Sequence, residues 1–315
     1  MKILKFVLLS TLLLTITLVI VFSQKDIPLN KLKEKYTNSY SSFIDIDGTN
    51  VHYRDEGVYN DSIPIILIHG TGSSLHAYDI WTKTLKKTKR VIRMDLPAFG
   101  LTGPFLNKDY SISNYTTFLV EFLDSLNITQ CILVGNSLGG EIAWRFAVQE
   151  PVIAKKLILI DPGGYPVKSK SVPIAFKLAR VPVLNKLLTY ITPRFLVRSS
   201  IENVYFDKSK VSDSLVNRYF DLTLRKGNRE AIVDRLKVST TLTNRTNTHA
   251  SVKKIKQPTL IIWGNEDQLI PIENAYKFKN DISNSKLIVM QETGHVPMEE
   301  RPLESLKPVI DFLDN

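Results

Sequence analysis

Three separated stretches of this chain carry the residue types of nucleophilic acyl transfer. Ser137 stands in Gly135-Asn136-Ser137-Leu138-Gly139-Gly140, directly after the apolar run Cys131-Ile132-Leu133-Val134. A serine on a sharp strand-to-helix turn needs small neighbours, because the turn brings other main-chain atoms against it; the glycines two residues to either side meet that need. A hydroxyl attacks a carbonyl only if a base takes its proton. The histidines available are His52, His69, His76, His249 and His295. His295, in Glu292-Thr293-Gly294-His295-Val296-Pro297, follows the last apolar run, where a parallel sheet presents its working residues. His52 reads as structural, and His76 and His249 read as packing or surface residues that border substrate at most. The imidazole in turn needs an acid to fix its tautomer. Asp267, in Trp263-Gly264-Asn265-Glu266-Asp267, is that acid; Asp161 holds the rival position and Asp95 reads as the organiser of its own loop. The oxyanion needs preorganised amides. His69-Gly70-Thr71-Gly72-Ser73-Ser74 offers the Thr71 N–H, and the residue after the nucleophile offers the Leu138 N–H.

The elements that must position these groups follow from the apolar pattern. Phe43–Ile46 and Val51–Tyr53, separated by a stretch beginning Asp47-Gly48, predict a hairpin. Short runs rich in Ile, Val and Leu come next: Ile63–Ile68, Val91–Met94, Gln130–Val134, Lys156–Ile160, Thr259–Trp263 and Lys286–Met290. They alternate with helical segments such as Tyr115–Leu126 and Glu141–Gln149. Continuous apolar strands alternating with helices indicate a parallel sheet covered on both faces. The alternation breaks between Gly163 and Ala250, where prolines punctuate amphipathic pieces such as Asn217–Leu224 and Arg229–Leu242. Residues 163–250 therefore read as a helical cap inserted into a core formed by residues 41–162 and 251–315.

The chain has 315 residues, 43% hydrophobic and 23% charged, the composition of a globular protein with room for a large core. Its formal charge is +10, and all of the excess lies between residues 163 and 250, where 16 basic residues face 6 acidic ones. Contact of this cap with anionic lipid, or steering of an anionic substrate, is weighed against the plainer reading of a solvated helical face. Cys131 is the single cysteine, so no intrachain disulfide forms. No nucleic-acid motif, Gly-rich phosphate loop or metal-ligand spacing is present, and no cofactor is expected. Lys2 and Lys5 precede an uncharged run from Phe6 to Phe22, at the boundary between a signal-peptide core and a spanning helix. Residues 1–24 are expected to anchor or export the chain, with residues 25–40 as a linker and the catalytic domain outside the cytoplasm.

Taken together, these motifs resemble those of the α/β-hydrolases, from about Ser42 to the C-terminus, with serine, acid and histidine in that family's chain order. The resemblance implies a doubly wound, mostly parallel eight-stranded sheet with an inserted cap. It also implies Ser137, Asp267 and His295 as a triad and a small ester or acyl compound as substrate. One departure is Ala98, where relatives often have glycine after Asp-Leu-Pro. A serine nucleophile argues against the branches that attack through a carboxylate. Carboxylic esters are the expected substrates. The alternative is a carbon–carbon hydrolase of ring-fission keto-acids, whose elbow also reads Gly-Asn-Ser but whose catalytic histidine is often followed by Trp rather than Val296. A non-catalytic binding protein on the same fold is the remaining reading.

Overall fold

A computed structural model describes residues 2–241 and 248–314. Eight strands form one sheet: β1 (Ser41–Ile46), β2 (Thr49–Gly57), β3 (Ile65–Ile68), β4 (Arg90–Met94), β5 (Cys131–Asn136), β6 (Ala154–Ile160), β7 (Thr259–Gly264) and β8 (Ser285–Met290). Their order is β1-β2-β4-β3-β5-β6-β7-β8. β2 pairs antiparallel with β1 and β4, and every other pairing is parallel. The hairpin closes through Asp47 and Gly48, both at positive φ, with Ile46 opposite Thr49. That is the geometry which a two-residue turn between right-twisted strands demands.

The six central runs become β3 to β8, each within a few residues of its expected bounds. β3 shows why they read as strands: Ile65, Ile66, Leu67 and Ile68 are all fully buried, because helices cover both faces. Burying side chains of this size contributes about 1.5–3 kcal/mol each. One face is covered by α3 (Asp79–Leu85) and α13 (Pro302–Leu313), and the other by α4 (Ile112–Ser125), α5 (Leu138–Gln149) and α11 (Glu273–Asp281). α12 (Pro297–Glu300) follows the histidine loop. At β3 the chain order reverses, with β4 on one side and β5 on the other. Open α/β sheets bind ligands outside the strands' carboxyl ends at such a switch point.

Between β6 and β7 lie only helices among the described residues: α6 (Ile174–Ala179), α7 (Leu184–Leu188), α8 (Arg194–Val204), α9 (Asp213–Thr223), α10 (Asn228–Thr241) and short 3-10 turns. The expected helix Arg229–Leu242 is α10, except that Leu242 lies outside the described residues.

The N-terminal part differs from its sequence reading in two ways. The polar stretch expected as a linker contains a packed helix, α2 (Leu29–Tyr36), with Leu32 and Tyr36 buried against Leu101 and Leu222. Its heptad-like apolar positions are too few to stand out among the lysines. Polar contacts reinforce the docking: Tyr36 Oη donates to Asp221 at 2.7 Å, and Arg54 donates to the Tyr36 carbonyl at 2.8 Å. The preceding α1 (Lys2–Phe22) opens with Lys2 and Lys5 and is interrupted by Ser10, Thr11, Thr15 and Thr17. Among the described residues no helix is long and apolar enough to cross a membrane, so the expected spanning anchor is not recovered.

Candidate active site

Ser137 sits between β5 and α5 at φ 54°, ψ −113°, a conformation rare for any residue with a side chain. The strain is held by main-chain bonds on both sides: Ser137 N–H donates to the Ile160 carbonyl at 3.0 Å, and Gly163 N–H donates to the Ser137 carbonyl at 3.0 Å. The flanking glycines are required by close approach. A Cβ on Gly135 would lie 2.2 Å from the Gly139 carbonyl oxygen, and one on Gly139 would lie 2.2 Å from that of Ile68. Gly139→Ala is accordingly expected to cost on the order of 3 kcal/mol or more and to lower soluble yield, checked by denaturant unfolding.

His295 lies beyond β8. Its Nδ1 is 2.6 Å from Asp267 Oδ2, both side chains being buried. Asp267 Oδ1 accepts two further bonds, from Leu269 N–H at 2.8 Å and Ile270 N–H at 3.0 Å, so this carboxylate is positioned wholly as an acceptor. His295 Nε2 is buried with no hydrogen-bond partner. The imidazole loop is steadied by groups that the sequence reading did not single out. Asn136 Nδ2 donates to the His295 carbonyl at 3.0 Å, His295 N–H donates to the Val204 carbonyl of α8 at 2.8 Å, and Glu300 accepts from Gly294 N–H at 2.7 Å. Only Asn136 carried a signal, through its place beside the nucleophile; Val204 and Glu300 are brought in by tertiary packing.

Asp161, the rival acid, is also buried beside this pair. One potential ligand atom from each of Asp161, Asp267 and His295 lies within 4.8 Å of the others, a cluster that the sequence spacing did not reveal. The direct 2.6 Å contact between imidazole and Asp267 leaves no place for a cation between those two. Asp161 differs from Asp267 in its partners: Oδ1 accepts from Gly264 N–H at 3.0 Å, while Oδ2 has no partner. Burial, and then the neighbouring Asp267 carboxylate, push the Asp161 carboxyl well above the usual range. The same surroundings disfavour its ionised form, so it is the poorer of the two acids to stabilise an imidazolium.

The other histidines are accounted for structurally. His69 Nδ1 donates to the Gly70 carbonyl at 2.8 Å and its Nε2 accepts from Leu96 N–H at 3.0 Å, bracing the loop that carries Thr71. His52 Nδ1 is 2.7 Å from Asp95, which also accepts from Leu75 and Leu101 amides at 2.8 Å. Burial would raise the Asp95 carboxyl, but His52 and the other nearby histidines hold it far below the carboxylate range. His76, in the turn before α3, is buried edge-on against Tyr36 of α2, and the His249 ring lies tilted 5.2 Å from that of Tyr165.

Burial pushes His76 down to about 3. In an unfolded chain it titrates near ~6.5. Because the folded value is the lower one, its contribution is fully present above about pH 6.5 and is lost as the pH falls from there toward 3, where the unfolded chain takes up a proton that the native state refuses. The denaturant midpoint should therefore decline through that window, and His76→Gln should make the decline shallower.

Ser137, His295, Thr71 and Leu138 all line one cavity of about 410 Å³ between the sheet's carboxyl edge and the cap. The Thr71 and Leu138 amides are not taken by any backbone acceptor among the described residues, and Leu138 opens α5, whose helix dipole favours negative charge there. Val296, Ile201 and Leu269 give the cavity apolar walls. Ala98, the departure noted above, is buried at φ 85°, a backbone position that glycine adopts without strain.

An eight-stranded, mostly parallel sheet with a strained serine after β5, an acid after β7 and a histidine after β8 defines the α/β-hydrolase architecture. The family model for the alpha/beta hydrolase fold matches residues 63–302, and the chain belongs to that family. Among curated relatives, 2-hydroxymuconate semialdehyde hydrolase of Pseudomonas sp. (strain CF600) is 28% identical over 271 residues, covering 84% of this chain and 90% of its own. Among solved structures, a meta-cleavage product hydrolase of Pseudomonas fluorescens superposes with a TM-score of 0.75 at 24% identity, covering 87% of this chain and 97% of that one. A membrane phospholipase A superposes with a TM-score of 0.73 at 23% identity, covering 100% of this chain and 98% of that one.

Proposed function

We propose that the chain is a serine hydrolase in which His295 takes the Ser137 proton, Asp267 holds the imidazole, and the Thr71 and Leu138 amides receive the oxyanion. The observation that carries this reading is the buried His295–Asp267 bond, with an unpartnered Nε2 in the cavity that Ser137 lines. Attack forms the serine Oγ–carbon bond, and collapse of the adduct breaks the bond from that carbon to the leaving group, which takes the proton from His295. Water, deprotonated by the same imidazole, then releases the acyl group and regenerates Ser137.

Two bond types fit this chemistry. Hydrolysis of a carboxylic ester is supported by the apolar cavity and by Val296 where ring-fission hydrolases often carry Trp. Hydrolysis of a carbon–carbon bond in a vinylogous keto-acid is supported by curated relatives at 27–28% identity named as hydrolases of 2-hydroxymuconate semialdehyde and 2-hydroxy-6-oxo-2,4-heptadienoate. The relatives give the carbon–carbon reading the broader support, and the ester reading rests on this chain's own residues. Assay of nitrophenyl esters beside a vinylogous keto-acid separates them: turnover of the keto-acid alone removes the ester reading, and turnover of esters alone removes the other.

We also infer that the N-terminal segment directs export of the chain, with the hydrolase body outside the cytoplasm. The uncharged run after Lys5 supports this. Protease accessibility in intact cells and spheroplasts tests it; protection in both, released only by lysis, would overturn it.

A further inference from the structure

The cavity that Ser137 lines also contains a charge that no carboxylate among the described residues neutralises. α10 contributes Ile232, Val233 and Leu236 to the cavity lining, and also Arg235. Arg235 is only 5% exposed, yet its Nε and Nη1 have no hydrogen-bond partner. The neighbouring carboxylate, Asp234, is 3.0 Å from Lys237. Guanidinium groups are rarely buried without a carboxylate or a set of acceptors, because the lost hydration costs several kcal/mol.

The rest of the lining has the same sign. Arg145, Arg180, Arg229 and Arg235 line the cavity, and Glu141 is the one carboxylate among the lining residues. Glu141 is committed to Arg145 at 2.8 Å, and Arg229 reaches out of the cavity to Asp26 at 2.7 Å. Arg180 is exposed to solvent and does not share the desolvation of Arg235. Arg229 also leaves its Nε without a partner but keeps the Asp26 carboxylate, so Arg235 is the buried arginine of the lining that no carboxylate among the described residues meets.

We propose that Arg235 is an anion subsite of the substrate cavity, recognising a carboxylate or phosphodiester that the substrate carries at the end remote from the scissile bond. The inference rests on the reading of this cavity as the substrate site but is independent of which bond is cut. A planar guanidinium takes such an oxyanion through paired N–H donors, and apolar surroundings strengthen the attraction. The bound anion satisfies donors that are otherwise orphaned, so free protein carries a strain that ligand removes.

Calorimetric titration tests this without requiring turnover. Sodium octanoate, octyl methyl phosphate and neutral octanamide are titrated into the full chain and into its Arg235→Met and Arg235→Lys variants. At least one anion should bind wild type about 10- to 100-fold more tightly than octanamide, the range expected of charge-assisted hydrogen bonds. Arg235→Met should abolish that preference, and Arg235→Lys should keep part of it. Tighter octanoate points to an acid-bearing substrate, and tighter phosphodiester to a phospholipid. Arg235→Met should also hold or raise the Tm of ligand-free protein, since an unpaired buried charge is gone. The proposal is overturned if anion and amide bind wild type alike, if the preference survives Arg235→Met, or if that variant weakens all three probes equally while lowering Tm, which marks a packing role. Because binding is read directly, an inactive Ser137 would sink the hydrolase reading and leave this result standing.

Discussion

Ser137→Ala is expected to lower kcat by about a hundred-thousandfold or more on whichever substrate class proves active, and to abolish labelling by a fluorophosphonate probe. The size follows from the role: without a nucleophile no covalent intermediate forms, and only binding and the oxyanion donors remain. The fold should survive, because alanine meets the same backbone conformation at φ 54° and the bonds from Ser137 N–H to Ile160 and from Gly163 N–H to Ser137 involve main chain alone. A far-UV spectrum and Tm close to wild type would show that the loss is chemical. A variant retaining more than about a hundredth of wild-type activity would remove Ser137 from its assigned role.

Asp267→Asn should cost about ten-thousandfold in kcat, while Asp161→Asn should leave it within about fivefold. The two carboxyls are neighbours, so their difference is a strict test of which one acts. Asp267 Oδ1 takes two backbone amides and Oδ2 faces His295 Nδ1. An amide that keeps the backbone bonds must turn its NH2 toward the imidazole, which reverses the tautomer and leaves Nε2 protonated and unable to act as base. Burial and the Asp267 charge both disfavour the ionised form of Asp161, so a neutral amide changes little there. Its asparagine keeps an acceptor for Gly264 N–H. A carboxyl raised in the folded state lowers stability once the pH exceeds its unfolded value, so Asp161→Asn should also raise Tm at neutral pH. Steady-state kinetics and thermal unfolding of the two variants check both parts. Equal losses from both substitutions would mean that the carboxyls work as a unit, and a larger loss from Asp161→Asn would transfer the acid role to it.

Legibility in the sequence varied with the range of the forces involved. The strands β3 to β8 could be read because their burial on both faces demands continuous apolar runs, a local signal. The serine turn could be read because close backbone approach restricts Gly135 and Gly139 to one residue type. α2 could not be read as a docked helix, since Leu32 and Tyr36 make sense only against Leu101 and Leu222, far along the chain. The same limit applies to Glu300, which looks like an ordinary surface acid and is buried on the Gly294 amide.

The sequence by itself determined the order of strands and helices, the strained turn at Ser137 and the short list of acids and bases, because each is imposed by neighbours within a few residues. Tertiary structure alone decided that Asp161 lies buried beside the Asp267–His295 pair, and that Arg235 lines a cavity whose one carboxylate, Glu141, is committed to Arg145. Both outcomes depend on which donors and charges remote segments bring within a few ångströms, and desolvation gives those distances their energetic weight.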